Sequence, residues 1–175
     1  MPSSIAGQRV AFHSLRRIVL GASTSETFTR GNALASFGWL TLVFRTLFGT
    51  QKQRTSSIAC VVAGVLSAAY LILLCEFVEK SSESDSSSSL LASFSTLEGV
   101  SRLFRDEGVV CAGWLHYLAF DLLIGERLSA IERENRIPRV FTVGTTLPLT
   151  FIAGPVGYLW SCACVSLTRR RRRLR

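Results

Sequence analysis

The sequence lacks any Cys-x-x-Cys spacing, and its number of cysteines is odd. Structural zinc sites and disulfide frameworks need paired ligands at defined spacings, so neither class is supported. All of the cysteines lie in apolar stretches, where cysteine commonly behaves as a small buried hydrophobe. They are Cys60, Cys75, Cys111, Cys162 and Cys164.

No acidic residue occurs before Glu26, and the first 30 residues hold Arg9, Arg16 and Arg17 among several serines. A basic, acid-poor N-terminus is typical of a transit segment, and a plain basic arm fits equally well. The stretch has no long uninterrupted apolar core of the kind that a secretory signal peptide carries. Residues 1–30 are therefore predicted to be either a basic N-terminal arm or a transit segment.

Charged residues are scarce in four long blocks, and 48% of the chain is hydrophobic. A helix needs about 20 mostly apolar residues to cross a bilayer. Residues 31–48, 57–78, 108–125 and 140–167 approach or meet that length, and a soluble globule of this size is small for burying all of them. The sequence predicts an all-α, small polytopic membrane protein, with these blocks as four transmembrane helices of one domain, 31–167.

The segments between the blocks are polar or amphipathic. Residues 79–89 form a Ser-rich loop that cannot build a core. Residues 90–107 carry apolar side chains at spacings of 3 and 4, which predicts one amphipathic helix that lies either in the membrane interface or as a lid over a site. A charged link is expected over 126–136. Prolines inside 140–167 predict a bent or broken fourth helix whose break faces protein.

Positive charge is concentrated at the end of the chain, whose formal net charge is +8. The Arg-rich tail, 168–175, could bind nucleic acid or anionic lipid. Because it begins where the last apolar run stops, we interpret it as a topology signal and expect no nucleic-acid partner. The positive-inside rule then places both termini on the cytosolic side, or on the stromal or matrix side of an organelle membrane.

Polar groups within an apolar block mark the third predicted helix. His116 and Asp121 lie inside 108–125, and ionisable groups in a membrane helix usually face protein or a wet cavity. At about 100° per residue, Trp114, Tyr117 and Asp121 share one face, and His116 lies roughly 140° from Asp121. Tyr117 is the natural local partner of Asp121. The two ionisable groups are either acid–base catalysts or structural residues at an interface and a helix contact.

The third and fourth blocks resemble the abscisic-acid-deficient-four-like family of small four-span membrane proteins, known in bacteria as a domain of unknown function. The resemblance is strongest over 95–165 and weaker over 31–78. It is carried by Gly113-Trp114-Leu115-His116-Tyr117-Leu118-Ala119-Phe120-Asp121-Leu122, Gly125, Ile137-Pro138, Leu149-Thr150-Phe151 and Gly154-Pro155-Val156-Gly157. It implies a multi-pass protein of the plastid or another intracellular membrane, needed to convert violaxanthin into neoxanthin, as catalyst or as accessory factor.

That conversion turns an epoxide into an allene and a tertiary alcohol, which needs an acid at the oxygen and a base at a nearby C–H. It requires no metal and no redox cofactor. His116 and Asp121 are the catalytic candidates, and an apolar substrate slot is expected from Trp114, Tyr117, Phe120 and Pro155.

The expected partners are membrane lipids and a carotenoid or other isoprenoid, and a homo-oligomer is compatible with the sequence. The alternative is a non-catalytic membrane protein that binds lipid or pigment or scaffolds partners. A transporter or channel is disfavoured because the chain has no internal repeat.

Overall fold

The computed structural model describes residues 23–49, 58–83 and 93–174, and these are helical with no strand. The all-α class is therefore confirmed for the described part of the chain. In order, the elements are α1 Thr24–Phe48, α2 Ile58–Glu83, α3 Leu97–Leu103, α4 Glu107–Glu134, α5 Arg139–Phe141, a π-helical turn Thr142–Thr146, α6 Leu147–Ile152 and α7 Gly154–Arg173.

Two of the described helices are long and apolar enough to cross a membrane, by length and composition only. They are Ile58–Lys80 within α2 and the whole of α4, Glu107–Glu134. A shorter apolar stretch covers Arg139–Ile152. Of the other two predicted blocks, the first lies in α1, which is not one of these two helices, and the fourth is divided at Ala153. The described structure therefore supports two such helices where the sequence predicted four.

The observed helix ends differ from the predicted ones. Helix α1 begins at Thr24 rather than at residue 31, with the Ser23 hydroxyl accepting a hydrogen bond from the Glu26 amide at 3.2 Å. This is a helix N-cap, which satisfies one of the amides that a helix start leaves free. Residues 24–30, predicted to belong to the arm, are therefore part of the first helix.

Helix α4 continues nine residues past Gly125, where the sequence predicted its end, so the charged link predicted over 126–136 is wrong for most of its length. Gly125 is a packing position: a Cβ there would lie 2.9 Å from the Trp39 ring and 3.2 Å from Leu42. Leu128 and Glu132 continue the same buried face. The glycine lets two helices approach closely and does not stop the helix.

The amphipathic segment is shorter than predicted. Within its described part, helix α3 covers only Leu97–Leu103, and residues 90–92 lie outside the described residues. Thr96 caps its start by accepting from the Gly99 amide at 3.1 Å. A turn at 104–106 then leads into α4. None of the α3 side chains is buried.

The fourth block is broken, as its prolines predicted. Ala153 has φ −153° and ψ 85°, which ends α6, and α7 starts at Gly154. Pro148 and Pro155 each stand within the first two positions of the helix that follows, where the missing N–H costs little. Helix α7 continues through Arg173 and so includes most of the predicted Arg-rich tail.

The chain divides into two compact units. The first is Met1–Ala33 with Leu66–His116, of which residues 23–33, 66–83 and 93–116 are described. Its buried residues include Leu66, Leu73 and Leu115. The second is Leu34–Val65 with Tyr117–Arg175, and it buries Leu42, Leu122 and Leu147 together with a set of polar side chains. That polar set gives the second unit its chemistry.

Candidate functional site

A buried carboxylate lies at the break of the fourth block. Asp121, on α4, is 6% exposed, and a Cβ added to Gly154 would collide with its Oδ1 atom. The carboxylate therefore rests against the first residue of α7. The start of a helix carries partial positive charge, which favours an anion there. Only a glycine leaves the space that this contact occupies.

The Tyr117 phenol connects Asp121 to the same break. Tyr117 Oη lies 3.0 Å from the carbonyl oxygen of Ile152, the last residue of α6. Asp121, one turn further along α4, interacts with the same phenol, whose single O–H proton is donated to the Ile152 carbonyl. The pairing of Tyr117 with Asp121 that the helical spacing predicted is thus present. It ties one turn of α4 to a carbonyl that the interrupted helix leaves free.

One oxygen of this carboxylate has no hydrogen-bond donor within the described residues. It is Asp121 Oδ2, whose own surface is buried. Leaving a buried acceptor without a partner costs about 1–3 kcal/mol, and more for a charged one. An oxygen held in this condition is available to accept a proton or a hydrogen bond from a group that enters the site.

Aromatic rings lie one turn away from the carboxylate. Trp39 and Phe151 make an edge-to-face contact with ring centroids 5.3 Å apart. Trp39 also packs on Gly125, and Phe151 precedes Ile152. Neither ring was assigned to the site from the sequence. Trp39 could have been identified from two features of the sequence. The first predicted helix contains an aromatic residue, and the helix that carries Asp121 also carries a glycine, Gly125, on which a ring can pack.

The remaining residues predicted for the site do not all gather at Asp121. Phe120 is 55% exposed and Pro155 is exposed, so both lie on the outer surface of the second unit. Trp114 lies in the first unit, where its Nε1 donates to Asn32 Oδ1 at 2.8 Å. Of the four residues predicted to line a substrate slot, Tyr117 is the one that the structure brings to the carboxylate.

His116 belongs to the first unit, and its ring centroid lies 5.0 Å from that of Tyr70. Its side chain is exposed. On α4 it stands five residues before Asp121, a rotation of about 140° around an ideal helix. As that angle predicts, the two ionisable side chains have different neighbours.

A second buried carboxylate was missed in the sequence. Glu132 is fully buried, and its Oε1 accepts a hydrogen bond from Thr146 Oγ1 at 2.8 Å. Its Oε2 has no partner among the described residues, and neither has the buried Ser161 hydroxyl. Glu132 was assigned to the charged link because of its charge. Its spacing of 7 from Gly125 placed it on the buried face of α4 and could have identified it.

Thr146 belongs to the π-helical turn, whose backbone needs side-chain help. Thr145 donates to the Phe141 carbonyl at 2.8 Å, and Thr150 donates to the Thr146 carbonyl at 2.7 Å. π-Helical turns are rare and are frequent at functional sites. The threonines thus bond the backbone of the irregular helix, and they also supply the donor for Glu132.

Arg45 and Glu126, also in the second unit, form an ion pair. The two side chains are 21% and 17% exposed. The two residues are 81 positions apart in the sequence, so the pair joins α1 to α4 within the second unit. Among the described residues, no three His, Cys, Asp or Glu side chains lie close enough together to form a metal site.

Comparison with known proteins identifies the family of the chain. No curated protein and no solved structure matches this chain. The family model described as ABA DEFICIENT 4-like matches residues 26–160, a range that contains Tyr117, Asp121 and Gly154. The chain therefore belongs to the ABA DEFICIENT 4-like family.

Proposed function

We propose that this protein is a multi-pass integral membrane protein that acts on an apolar isoprenoid within the bilayer, in the conversion of violaxanthin into neoxanthin. Membership of the family and the two long apolar helices support the membrane placement. The observation that carries the chemistry is the buried, unpartnered Oδ2 of Asp121 at the helix break.

The proposed topology has four crossings. Helices α1, α2 and α4 make three of them, and the broken block from α5 to α7 makes the fourth. The 25 residues of α1 span about 37 Å, which exceeds the roughly 30 Å hydrocarbon core. The arginines at the end of α7 then lie on the cytosolic or stromal side together with the N-terminus. An intracellular membrane, that of a plastid in a plant cell, is the proposed location.

Asp121 is the proposed base. In the reaction, the epoxide C–O bond breaks and a C–H bond on the adjacent polyene carbon breaks. The electron pair of that C–H bond forms the second double bond of the allene, while the epoxide oxygen gains a proton. No atom or electron is gained or lost overall. Asp121 Oδ2 is the acceptor for the C–H proton, and its burial keeps water from competing for it.

The Tyr117 phenol is the proposed acid, because it lies one helical turn from Asp121 and interacts with it. The phenol turns its proton from the Ile152 carbonyl to the epoxide oxygen, and Asp121 then returns to Tyr117 the proton that it took from the C–H bond. The pair therefore returns to its starting state without bulk solvent. His116, the other acid–base candidate from the sequence, lies on a different side of α4 and is the second choice for this step.

Expression in cells that accumulate violaxanthin tests the proposal. The wild-type protein should produce neoxanthin, and Asp121→Asn should lower its yield by about 100-fold or more, the range expected for loss of a general base. Tyr117→Phe should lower it less. Cys162→Ser, at an exposed position, is the matched control. Full activity of Asp121→Asn would contradict the assignment of the base, whatever His116→Ala gives.

A non-catalytic pigment-binding role is the second candidate, and exposed aromatic side chains on the second unit favour it. Phe120, Phe151 and Tyr158 are each at least half exposed. Rings on a membrane-facing surface would contact a polyene directly. Purified protein that carries unchanged violaxanthin, from cells that gain no neoxanthin, would support this function over catalysis.

A further inference from the structure

A basic groove lies where the end of α4 meets the second half of α7. Its volume is about 430 Å³. Three arginines line it, Arg136, Arg171 and Arg172, and its apolar wall includes Ile137, Phe141 and Leu167. All of these residues belong to the second unit. The groove is separate from the Asp121 site, which lies at the opposite end of α7.

The backbone fixes the position of Arg136. Its φ is 58°, the left-handed conformation, and it is the only non-glycine described residue with a positive φ. The Arg136 amide donates to the Arg133 carbonyl, and the Ile137 amide donates to the Glu132 carbonyl, each at 3.0 Å. This pair of bonds is a Schellman motif, whose left-handed position is usually glycine. An arginine there costs about 1 kcal/mol relative to glycine and places a cation in the groove.

Asn135 holds the basic end of α7 beside this loop. Its Oδ1 accepts from Arg169 Nε at 2.8 Å, and its carbonyl oxygen accepts from Arg172 Nη2 at 2.5 Å. Asn135 is itself buried. Because two arginines bond this one residue, the last two turns of α7 are kept in register with the loop. The cations at the groove are therefore positioned by the fold.

The charges at the groove have no acidic counter-ion within the part of the chain that the structure describes. No acidic side chain among the described residues forms a salt bridge with Arg136, Arg171 or Arg172. Three neighbouring guanidinium groups repel one another, and their planar forks match the oxygens of a phosphate. The groove thus has the charge and geometry to bind a phosphate group.

The apolar wall identifies what kind of phosphate compound fits. Leu167, in the wall of the groove, is 60% exposed, and Val140, which precedes the lining residue Phe141 in the chain, is 75% exposed. Apolar side chains are therefore open to the surroundings near the arginines. The apolar part of α7 ends near Thr168, where the arginines begin. A phosphate that brings acyl chains would satisfy both surfaces. We propose that this groove is a binding site for an anionic phospholipid, with the headgroup on the arginines and the first acyl carbons on the apolar wall.

This proposal depends on the membrane placement in the proposed function and not on the xanthophyll reaction. In that placement the groove lies at the cytosolic or stromal surface, where anionic lipids attract clustered basic residues. Extraction of membranes at alkaline pH tests the placement separately. Release of the wild-type protein would refute the membrane placement, whatever the lipid measurement gives.

Lipid binding can be measured on the full chain in neutral detergent, by native mass spectrometry or by titration with phosphatidylglycerol and with phosphatidylcholine. Wild-type protein should bind phosphatidylglycerol at least 10-fold more tightly than phosphatidylcholine. Arg136→Gly should remove most of that preference while leaving the thermal stability equal or higher, because glycine suits the left-handed position. Arg170→Gln, which removes one charge from the same helix turn outside the groove, should change the affinity less than 2-fold.

Three results would overturn the proposal. Equal weakening by Arg136→Gly and Arg170→Gln would show that the tail attracts anions without a site. Equally effective competition by glycerol phosphate would show that the acyl chains contribute nothing. If single-stranded RNA bound to the wild-type protein at the same concentrations and Arg136→Gly abolished that binding, the groove would be a nucleic-acid site.

Discussion

Replacing Gly154 by alanine tests the contact on which the candidate site is built. The new Cβ would overlap Asp121 Oδ1, so the carboxylate or the start of α7 must move. Forcing an extra carbon into a packed interior costs about 2 kcal/mol. Gly64 is the matched control, since it lies within α2 and a Cβ there meets nothing within 4 Å. Alanine at Gly64 should stabilise the helix by about 0.5–1 kcal/mol.

The two variants should therefore differ by about 3 kcal/mol in free energy of unfolding. Unfolding in mixed micelles with increasing dodecyl sulfate measures this difference, and pigment analysis of expressing cells measures the effect on neoxanthin. Gly154→Ala should lose both stability and product, because the displaced carboxylate no longer faces the site. If Gly154→Ala were as stable and as active as Gly64→Ala, the close approach of Asp121 to the helix start would be refuted.

Three other substitutions test the buried and partly buried polar side chains of the second unit. Glu132→Gln should raise the free energy of unfolding by about 1 kcal/mol, because the amide oxygen keeps the bond from Thr146 and an uncharged group replaces a fully buried carboxylate. A loss of stability measured in the same titration would contradict this. Thr146→Val should lower the free energy of unfolding by about 2 kcal/mol in the wild-type protein and by less in the Glu132→Gln variant. Equal losses in the two backgrounds would show that the hydroxyl does not act through Glu132. Arg45→Met should lower the free energy of unfolding by about 3 kcal/mol, because the Glu126 carboxylate loses its cation. The double variant that also carries Glu126→Leu should recover part of this loss. No loss in the single variant would contradict the ion pair.

The helical class and the interrupted fourth block could be predicted from local sequence. Long apolar runs decide helix over strand in such a chain, and a proline inside an apolar run predicts that one helix ends before it and another begins near it. The interaction between Tyr117 and Asp121 was predictable too, since residues four apart share a helix face. Each of these features depends only on neighbours within one or two turns.

Features that depend on distant partners could not be predicted. Glu126 is charged and follows a glycine, so the sequence favours a loop, whereas Arg45, 81 residues away, pairs with it inside a longer helix. The left-handed Arg136 is equally invisible, because nothing local distinguishes it from the other arginines of the segment. The four-crossing topology stays a prediction, since hydropathy alone selects α2 and α4.

The most direct test of the account is the conversion of violaxanthin by purified protein in liposomes that contain no other enzyme. We expect neoxanthin to accumulate with the wild-type chain and to stay at background with Asp121→Asn, while both variants are retained in the bilayer. Equal yields from the two, or no neoxanthin from the wild-type chain, would contradict the role assigned to the buried carboxylate.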